Sequence, residues 1–337
     1  VDIEKISSLC LDIKETDFLT GETKHKSEMS NKFADADTTR ADVYIQDQIK
    51  MFGDRLILTP GIRRAHYSLD PTNGYSKVSE TRWLPQIGAI FKLNDTYSVY
   101  GRYAKGFKMP TASQLFYSAE NAMGTGTNIV ANPDLKPETS ETYEAGFRGK
   151  YDKAWFSIGA FYTDYEDFIG NVQTNSSTQT TKNWDMRIWG IEASGEWQFA
   201  QNWSTTGALD WQYAREYGQK SEAGWTVPPL TGVVGVKWKL PEYGLTTELF
   251  GTFARSPHQP NSEYFKPGGY SVFDGYVNWQ MTKNLKLTAS VTNILNKRYF
   301  DYTAAGYTKD MKYTNANPLE LYTAPGRTFA VSLQADF

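Results

Sequence analysis

The chain has 337 residues, with 35 Lys and Arg against 38 Asp and Glu, a formal net charge of -3. That balance excludes a basic nucleic-acid-binding protein. No run of about 18 apolar residues exists, which excludes a helical membrane span but not a span made of strands, whose polar and apolar residues alternate.

Aromatic content points the same way. The chain holds 22 Tyr, 18 Phe and 10 Trp, more than a soluble domain usually carries, whereas membrane barrels use such residues as interfacial girdles. Cys10 is the only cysteine, so neither an internal disulfide nor a multi-cysteine zinc site can form. The chain opens at Val1 on charged, irregular sequence without a signal peptide, and we expect a missing N-terminal part to hold any export signal.

From Thr39 onward the sequence alternates with period two, in runs expected to form about thirteen strands. Tyr143, Ala145, Phe147 and Tyr151 oppose Glu144, Arg148 and Lys150. Ile191, Ala193, Gly195, Trp197 and Phe199 oppose Glu192, Ser194, Glu196 and Gln198. Val234, Val236, Trp238 and Leu240 form another face, and Leu285, Leu287, Ala289 and Val291 another. The last run, Phe329 to Phe337, is the cleanest. No convincing amphipathic helix intervenes.

The connections alternate as well. Short turns are expected near Phe52–Asp54, Asn94–Thr96, Asp152–Lys153, Ala200–Asn202, Pro241–Gly244 and Thr282–Asn284. Long loops are expected near 70–80, 108–138, 170–186, 217–230, 256–269 and 300–326. Short periplasmic turns and long extracellular loops are the asymmetry of an outer-membrane barrel. Aromatics cluster beside the short turns: Phe91 and Tyr97, Tyr151 and Trp155, Phe199 and Trp203, Trp238 and Tyr243, and Trp279. A soluble sandwich would have to bury the charges of the opposite face, and no blade-sized repeat supports a propeller. An even strand count is required of a bacterial barrel, so about thirteen strands implies an incomplete one, with 1–337 a single partial barrel domain. Its open edges predict aggregation in isolation.

Two boxes interrupt the generic pattern: Phe107-Lys108-Met109-Pro110 after a strand, and Asn132-Pro133-Asp134-Leu135 at the end of the following loop. With Asn183, Gly190-Ile191-Glu192, the Val291–Tyr299 segment and Ala324–Thr328, they resemble TonB-dependent outer-membrane receptors. The branch they look most like is that of haem and haemoglobin receptors, with its "FRAP" and "NPNL" boxes. The resemblance implies an all-β, transmembrane antiparallel barrel of 22 strands preceded by a plug. This chain would supply its C-terminal strands, and the 108–138 loop would be the seventh extracellular loop. It also implies haem as transported cargo with no permanently bound cofactor, the TonB–ExbB–ExbD complex as energy source, haem or a haem protein as ligand, and outer-membrane lipid as surroundings.

Phe107, Pro110, Asn132, Pro133 and Leu135 frame that loop. Their prolines bias the preceding residue to extended backbone and can end strand pairing, so shaping the loop is one role open to them. Many relatives place a histidine between the boxes, and this chain has none there. Tyr117 is the substitute expected to ligate haem iron, because a phenolate is a known axial ligand; packing with Phe116 as an aromatic lip is its other reading. Met123 prefers softer, reduced iron. Of the three histidines, His25, His66 and His258, the last is taken as a haem-binding candidate. Arg215 and Lys220 lie near loops and are read first as solvated rim charges, with haem propionates as their other partners. Tyr162, Tyr165, Tyr213, Tyr264 and Tyr270 either stack on the porphyrin or serve as girdle and loop-packing residues. No metalloprotease, serine-hydrolase or phosphate-loop motif occurs, and Gly124-Thr125-Gly126 lacks a third glycine and a following helix. Ferric-siderophore uptake and a passive porin are the alternative functions.

Overall fold

Alternating runs condense into thirteen long strands. The computed structural model describes residues 36–71, 74–122, 127–175, 177–218, 227–258, 265–302, 320 and 322–336, together with the backbone of short strands within 2–31. In chain order the long strands are β1 (Ala36–Gln46), β2 (Leu56–Pro71), β3 (Val78–Lys92), β4 (Tyr97–Lys108), β5 (Glu138–Lys150), β6 (Ala154–Asn175), β7 (Thr178–Ala200), β8 (Trp203–Tyr217), β9 (Thr231–Leu240), β10 (Leu245–Ala254), β11 (Tyr270–Thr282), β12 (Leu285–Thr292) and β13 (Thr328–Ala335). Each pairs antiparallel with the next.

The register sorts side chains onto two faces, because directly opposed residues of an antiparallel pair share a face. One cross-strand row runs Val99, Phe147, Ile158, Ala193, Leu209, Gly232 and Phe253. Val99, Ile158, Leu209 and Phe253 are exposed despite being apolar, as expected of side chains that meet lipid. The other face carries Arg148, Glu144, Glu192 and the Lys237–Glu248 pair, whose Nζ and Oε1 lie 2.6 Å apart. We call the first face outward and the second inward. Lys237 and Glu248 sit directly opposite each other, a pairing that suits a polar lumen.

The turns and the girdle follow the sequence. Trp203 stacks on Trp238 at 5.4 Å and contacts Phe199. Tyr97 lies over Phe147 and hydrogen-bonds the Tyr151 hydroxyl. Trp279 donates its indole N–H to the Tyr243 carbonyl at 3.1 Å. An amphipathic ring gains from both phases at the headgroup level, which explains this belt beside the short turns. Trp155 departs from it: its register with Lys150 and Glu196 puts it on the inward face.

The sheet stays open. Among the described residues no ladder joins β13 to β1. Val43, Tyr44 and Ile45 of β1 are 71–75% exposed, and Phe329, Val331 and Leu333 of β13 62–72%. Asp2–Ile6 covers only the Ala36–Arg40 half of β1.

One expected loop is a strand pair instead. The stretch 170–186 continues β6 and β7 to a tight turn, with Asn175 opposite Thr178. A bulge between Tyr165 and Phe168 interrupts the ladder, with Asp167 at φ +54°, and the Asp167 amide there donates to the Asp185 carboxylate at 3.2 Å. Above it Val172, Trp184 and Met186 are buried against Tyr165, Phe168 and Ile188. That small core, with threonines whose β-branching favours extended backbone, explains why a segment polar enough to read as loop stays in register.

The β9–β10 turn supplies a stability test. Gly244 sits at φ +63°, and a Cβ there would lie 2.5 Å from the Gln280 carbonyl oxygen, which belongs to the strand whose amide donates to Gly244 at 2.8 Å. Gly244→Ala is expected to cost about 2 kcal/mol, from the left-handed backbone and the overlap. Urea unfolding of the complete receptor in lipid vesicles measures it; an unchanged midpoint would contradict the account.

Candidate functional site

The described residues between β4 and β5, 109–122 and 127–137, are folded. Thr111 starts a short helix, α1 (Ala112–Phe116), through a reciprocal cap: the Gln114 amide donates to Thr111 Oγ1, and the Thr111 amide donates to Gln114 Oε1 at 2.9 Å. This capping box satisfies two helix-end donors. Pro110 and Leu115, both fully buried, occupy the positions flanking the cap where apolar side chains fix the chain's entry angle. The sequence signature was Thr-x-x-Gln directly after a proline.

α1 belongs to an apolar cluster on the inward face. Leu115, Phe116, Ala112, Met109 and Leu135 from the loop pack with Ala36, Tyr67, Leu69 and Ile169 from the wall, and Phe107 borders them. Burying a Leu or Phe side chain contributes roughly 1.5–3 kcal/mol, so several such residues offset the ordering of a loop this long. The boxes thereby acquire a role in packing: Pro110 and Leu135 are core residues.

Polar pins fix the loop to the β6–β7 hairpin. Asn132 donates its side-chain amide to the Thr181 carbonyl at 2.8 Å, and its oxygen accepts from the Asp134 amide at 3.2 Å. Asn183 accepts from the Lys136 amide at 2.9 Å and donates to the Lys136 and Asp167 carbonyls at 3.0 and 2.7 Å. Glu138, buried, accepts from the Ile169 amide at 3.1 Å and lies 3.5 Å from Lys108 Nζ. Asn128, Ile129 and Val130 pair in parallel with Thr178, Gln179 and Thr180. Pro133 is exposed at the turn between these pins.

A second set of pins holds the region after β12. Asn293, 3% exposed and at φ +50°, donates through Nδ2 to the Lys297 and Pro325 carbonyls at 2.8 and 3.1 Å. Its oxygen accepts from the Lys297 amide at 2.7 Å, and its own amide donates to Asp274. Asn296 Oδ1 accepts from the Arg327 amide at 2.9 Å. The Val291–Tyr299 and Ala324–Thr328 segments are therefore one device, joined through two asparagines.

The predicted ligand residues fall in different places. Tyr117 follows α1, half-buried, its amide donating to the Ser113 carbonyl at 3.1 Å. Phe116 is buried, with Tyr75 tilted against it at 4.5 Å, so it packs the cluster instead of presenting an open face. His258 is exposed, its ring 6.1 Å from that of Tyr213, beside a cavity of about 400 Å³ that Trp211 and Lys266 also line. Tyr213 belongs to the outward face, whereas α1 packs on the inward one, so the structure does not bring His258 toward Tyr117. His66 lies on β2 and hydrogen-bonds Thr81 at 2.8 Å. The Met123, Lys220 and Tyr264 expectations, and the His25 side chain, lie outside the described residues.

Two further expectations change. Arg215 lies opposite Arg187 on the outward face and over the Tyr217 ring at 5.2 Å, so it does not face the lumen. Tyr162 shares that face, as does Tyr213. Tyr165 and Tyr270 point inward. Tyr270 stacks near Tyr299 at 4.3 Å, and burial, followed by the Asp274 and Asp301 carboxylates, raises the Tyr299 phenol above its ordinary value.

Comparison with known proteins agrees with this architecture. The family model "TonB dependent receptor-like, beta-barrel" matches residues 14–294. A hemin receptor of Yersinia pestis is 28% identical over 289 residues, 79% of this chain and 41% of its own length. The ferrienterobactin receptor of Escherichia coli K12 is 25% identical over 84% of this chain and 41% of its own length. Among solved structures, the copper transporter OprC superposes with a TM-score of 0.75 at 19% identity, covering 96% of this chain and 51% of that one. The chain thus spans less than half the length of these two curated relatives.

Proposed function

Because this chain belongs to the TonB-dependent receptor family of the outer membrane, we propose that it forms part of the wall and the ligand-capturing loop of a haem importer, with Tyr117 as an axial ligand of ferric haem iron. The observation that supports this reading most is the 109–137 loop. Its described residues, 109–122 and 127–137, are capped at Thr111, buried at Leu115 and Leu135 and pinned at Asn132, and they deliver Tyr117 at the end of the helix. A pre-ordered loop loses little conformational entropy on binding, so more of each contact appears as affinity. A phenolate oxygen is an established axial donor to haem iron. The hemin receptors among the relatives support the cargo. The TonB–ExbB–ExbD complex would then drive release into the periplasm, and haem would be cargo throughout.

The test is a haem titration of the complete receptor with Tyr117→Phe and Tyr117→Ala. Both variants are expected to weaken affinity at least about tenfold, equivalent to 1.4 kcal/mol, and to shift the Soret band. An unchanged spectrum and affinity would sink the assignment. A second reading, ferric-siderophore import, is favoured by the lack of a histidine between Pro110 and Asn132 and by the ferrienterobactin receptor among the relatives. Growth on haem iron against growth on siderophore iron separates the two. Membership of the family sets the passive porin aside.

A further inference from the structure

We propose that the outward face carries a binding groove for a phosphorylated glycolipid of the outer leaflet, with an acyl chain lying over Gly232 and a phosphate held by Arg255 and Lys297. Leu209, Gly232, Phe253 and Ser271 are successive cross-strand neighbours on β8 to β11. The row below them reads Gly207, Val234, Gly251 and Phe273. Three of these eight positions are glycine; the Phe253 and Phe273 rings lie over Gly251, while Gly207 and Gly232 leave the wall indented between larger side chains. A Cβ on Gly207 would meet nothing within 4 Å, and one on Gly232 would come no nearer than 3.7 Å to Leu209; neither glycine is there to let another strand approach.

The result is a groove of about 660 Å³ lined by Leu209, Leu230, Gly232, Phe253, Phe273 and Leu295. It continues upward from Val234, Val236 and Leu249, all exposed apolar residues of the membrane-facing surface. Arg255 and Lys297 line the same groove. Arg255 is the first residue after β10, and Lys297 lies just after β12, at the end where the long loops leave the wall. That end faces the cell exterior, and therefore the outer leaflet.

Charge complementarity decides the occupant. Both cations are exposed, and among the described residues neither joins an ion pair. Two hydrogen bonds to Asn293 fix the backbone of Lys297, which anchors the stem of that side chain beside the groove. An apolar slot ending in two unpaired cations fits an amphiphile with an anionic head. A soluble anion would not use the slot, and a neutral lipid would not use the cations. Phosphate oxygens accept charge-assisted hydrogen bonds from guanidinium and ammonium groups, and lipid A presents phosphates at this depth of the outer leaflet. This site depends on the outer-membrane placement of the wall and not on which iron compound is imported.

Native mass spectrometry of the complete receptor, delipidated and then titrated with bisphosphorylated lipid A, tests it. Phosphatidylglycerol and dephosphorylated lipid A are the comparison arms. Wild type should retain bisphosphorylated lipid A about tenfold more strongly than either. The double variant Arg255→Ala with Lys297→Ala should lose that preference, and the swap Arg255→Lys with Lys297→Arg should keep it. Gly232→Leu, which fills the slot, should weaken binding with both cations intact. Heat-modifiable migration in gels establishes that each variant is folded. Equal retention of phosphatidylglycerol, or undiminished lipid A binding by the folded double-alanine variant, would overturn the proposal.

Discussion

Replacing Asn293 with valine is expected to destabilise the wall around β11 to β13 by roughly 4 kcal/mol, the largest effect of any single substitution considered. Three side-chain hydrogen bonds disappear, each worth about 1 kcal/mol net, and the Lys297 and Pro325 backbone groups are left without their partner in a site that excludes water. The backbone adds to this. Asn tolerates φ +50°, whereas a β-branched residue is strained there. The two contributions separate by substitution: Asn293→Ala loses the bonds with less strain, and Asn293→Gly loses the bonds but relaxes the backbone. The expected order of loss is Val, then Ala, then Gly. Hydrogen exchange in the complete receptor should rise at Ala324 and Arg327 in that order. Equal protection in all three variants would show that the asparagine does not hold the segment.

Asn183→Ala comes second, at roughly 2–4 kcal/mol of local stability. Three half-exposed hydrogen bonds are lost, two of them to the backbone of Lys136. Fraying should be confined to the β4–β5 loop, because the β6–β7 ladder continues on both sides of residue 183. The readout that matters is functional. If the pinned loop presents Tyr117, loosening it lowers haem affinity by raising the ordering cost, and the loss should appear mainly in the dissociation rate. Asn183→Asp keeps the acceptor for the Lys136 amide and loses both donors, so it should fall between wild type and alanine. Faster exchange across 128–136 with unaltered haem dissociation would separate loop order from ligand binding.

How much of this was legible in the sequence depends on which interaction decided each element. Alternation decided the wall: faces such as Ile191–Trp197 and Val234–Trp238 are set by a local period of two, and the structure reproduces them. It could not distinguish strand from loop at 170–186. There the outcome turns on contacts between residues far apart in sequence, such as Trp184 with Phe168, and on Asn183 with Lys136. The helix α1 is only five residues long, too short for a periodic signal, and its one local mark, the Thr111–Gln114 capping pair, went unread. The boxes were legible as a family signature, while their packing role was not, because Pro110 and Leu135 reach a common core only after the loop folds back. The outward position of Arg215 leaves its rim-charge reading and removes the propionate one. Arg215 lies at a strand end, where one step in register decides whether a charge faces the lumen or the outside.

The unequal strand lengths have a consequence for approach. β6 and β7 hold 22 and 23 residues, whereas β9 and β10 hold ten each. Twelve or so extra residues add about 40 Å of strand, or roughly 30 Å of height at the usual tilt. Among the described residues the β6–β7 hairpin is therefore a mast beside strands that end near the bilayer surface. On the proposed function, a carrier protein bringing haem would meet this mast as a backstop before reaching the loop that presents Tyr117. Shortening the β6–β7 hairpin removes the Thr181 and Asn183 pins together with the mast, so on the proposed function capture of free haem should weaken at least as much as in Asn183→Ala, with any directional preference for a protein-borne load lost as well.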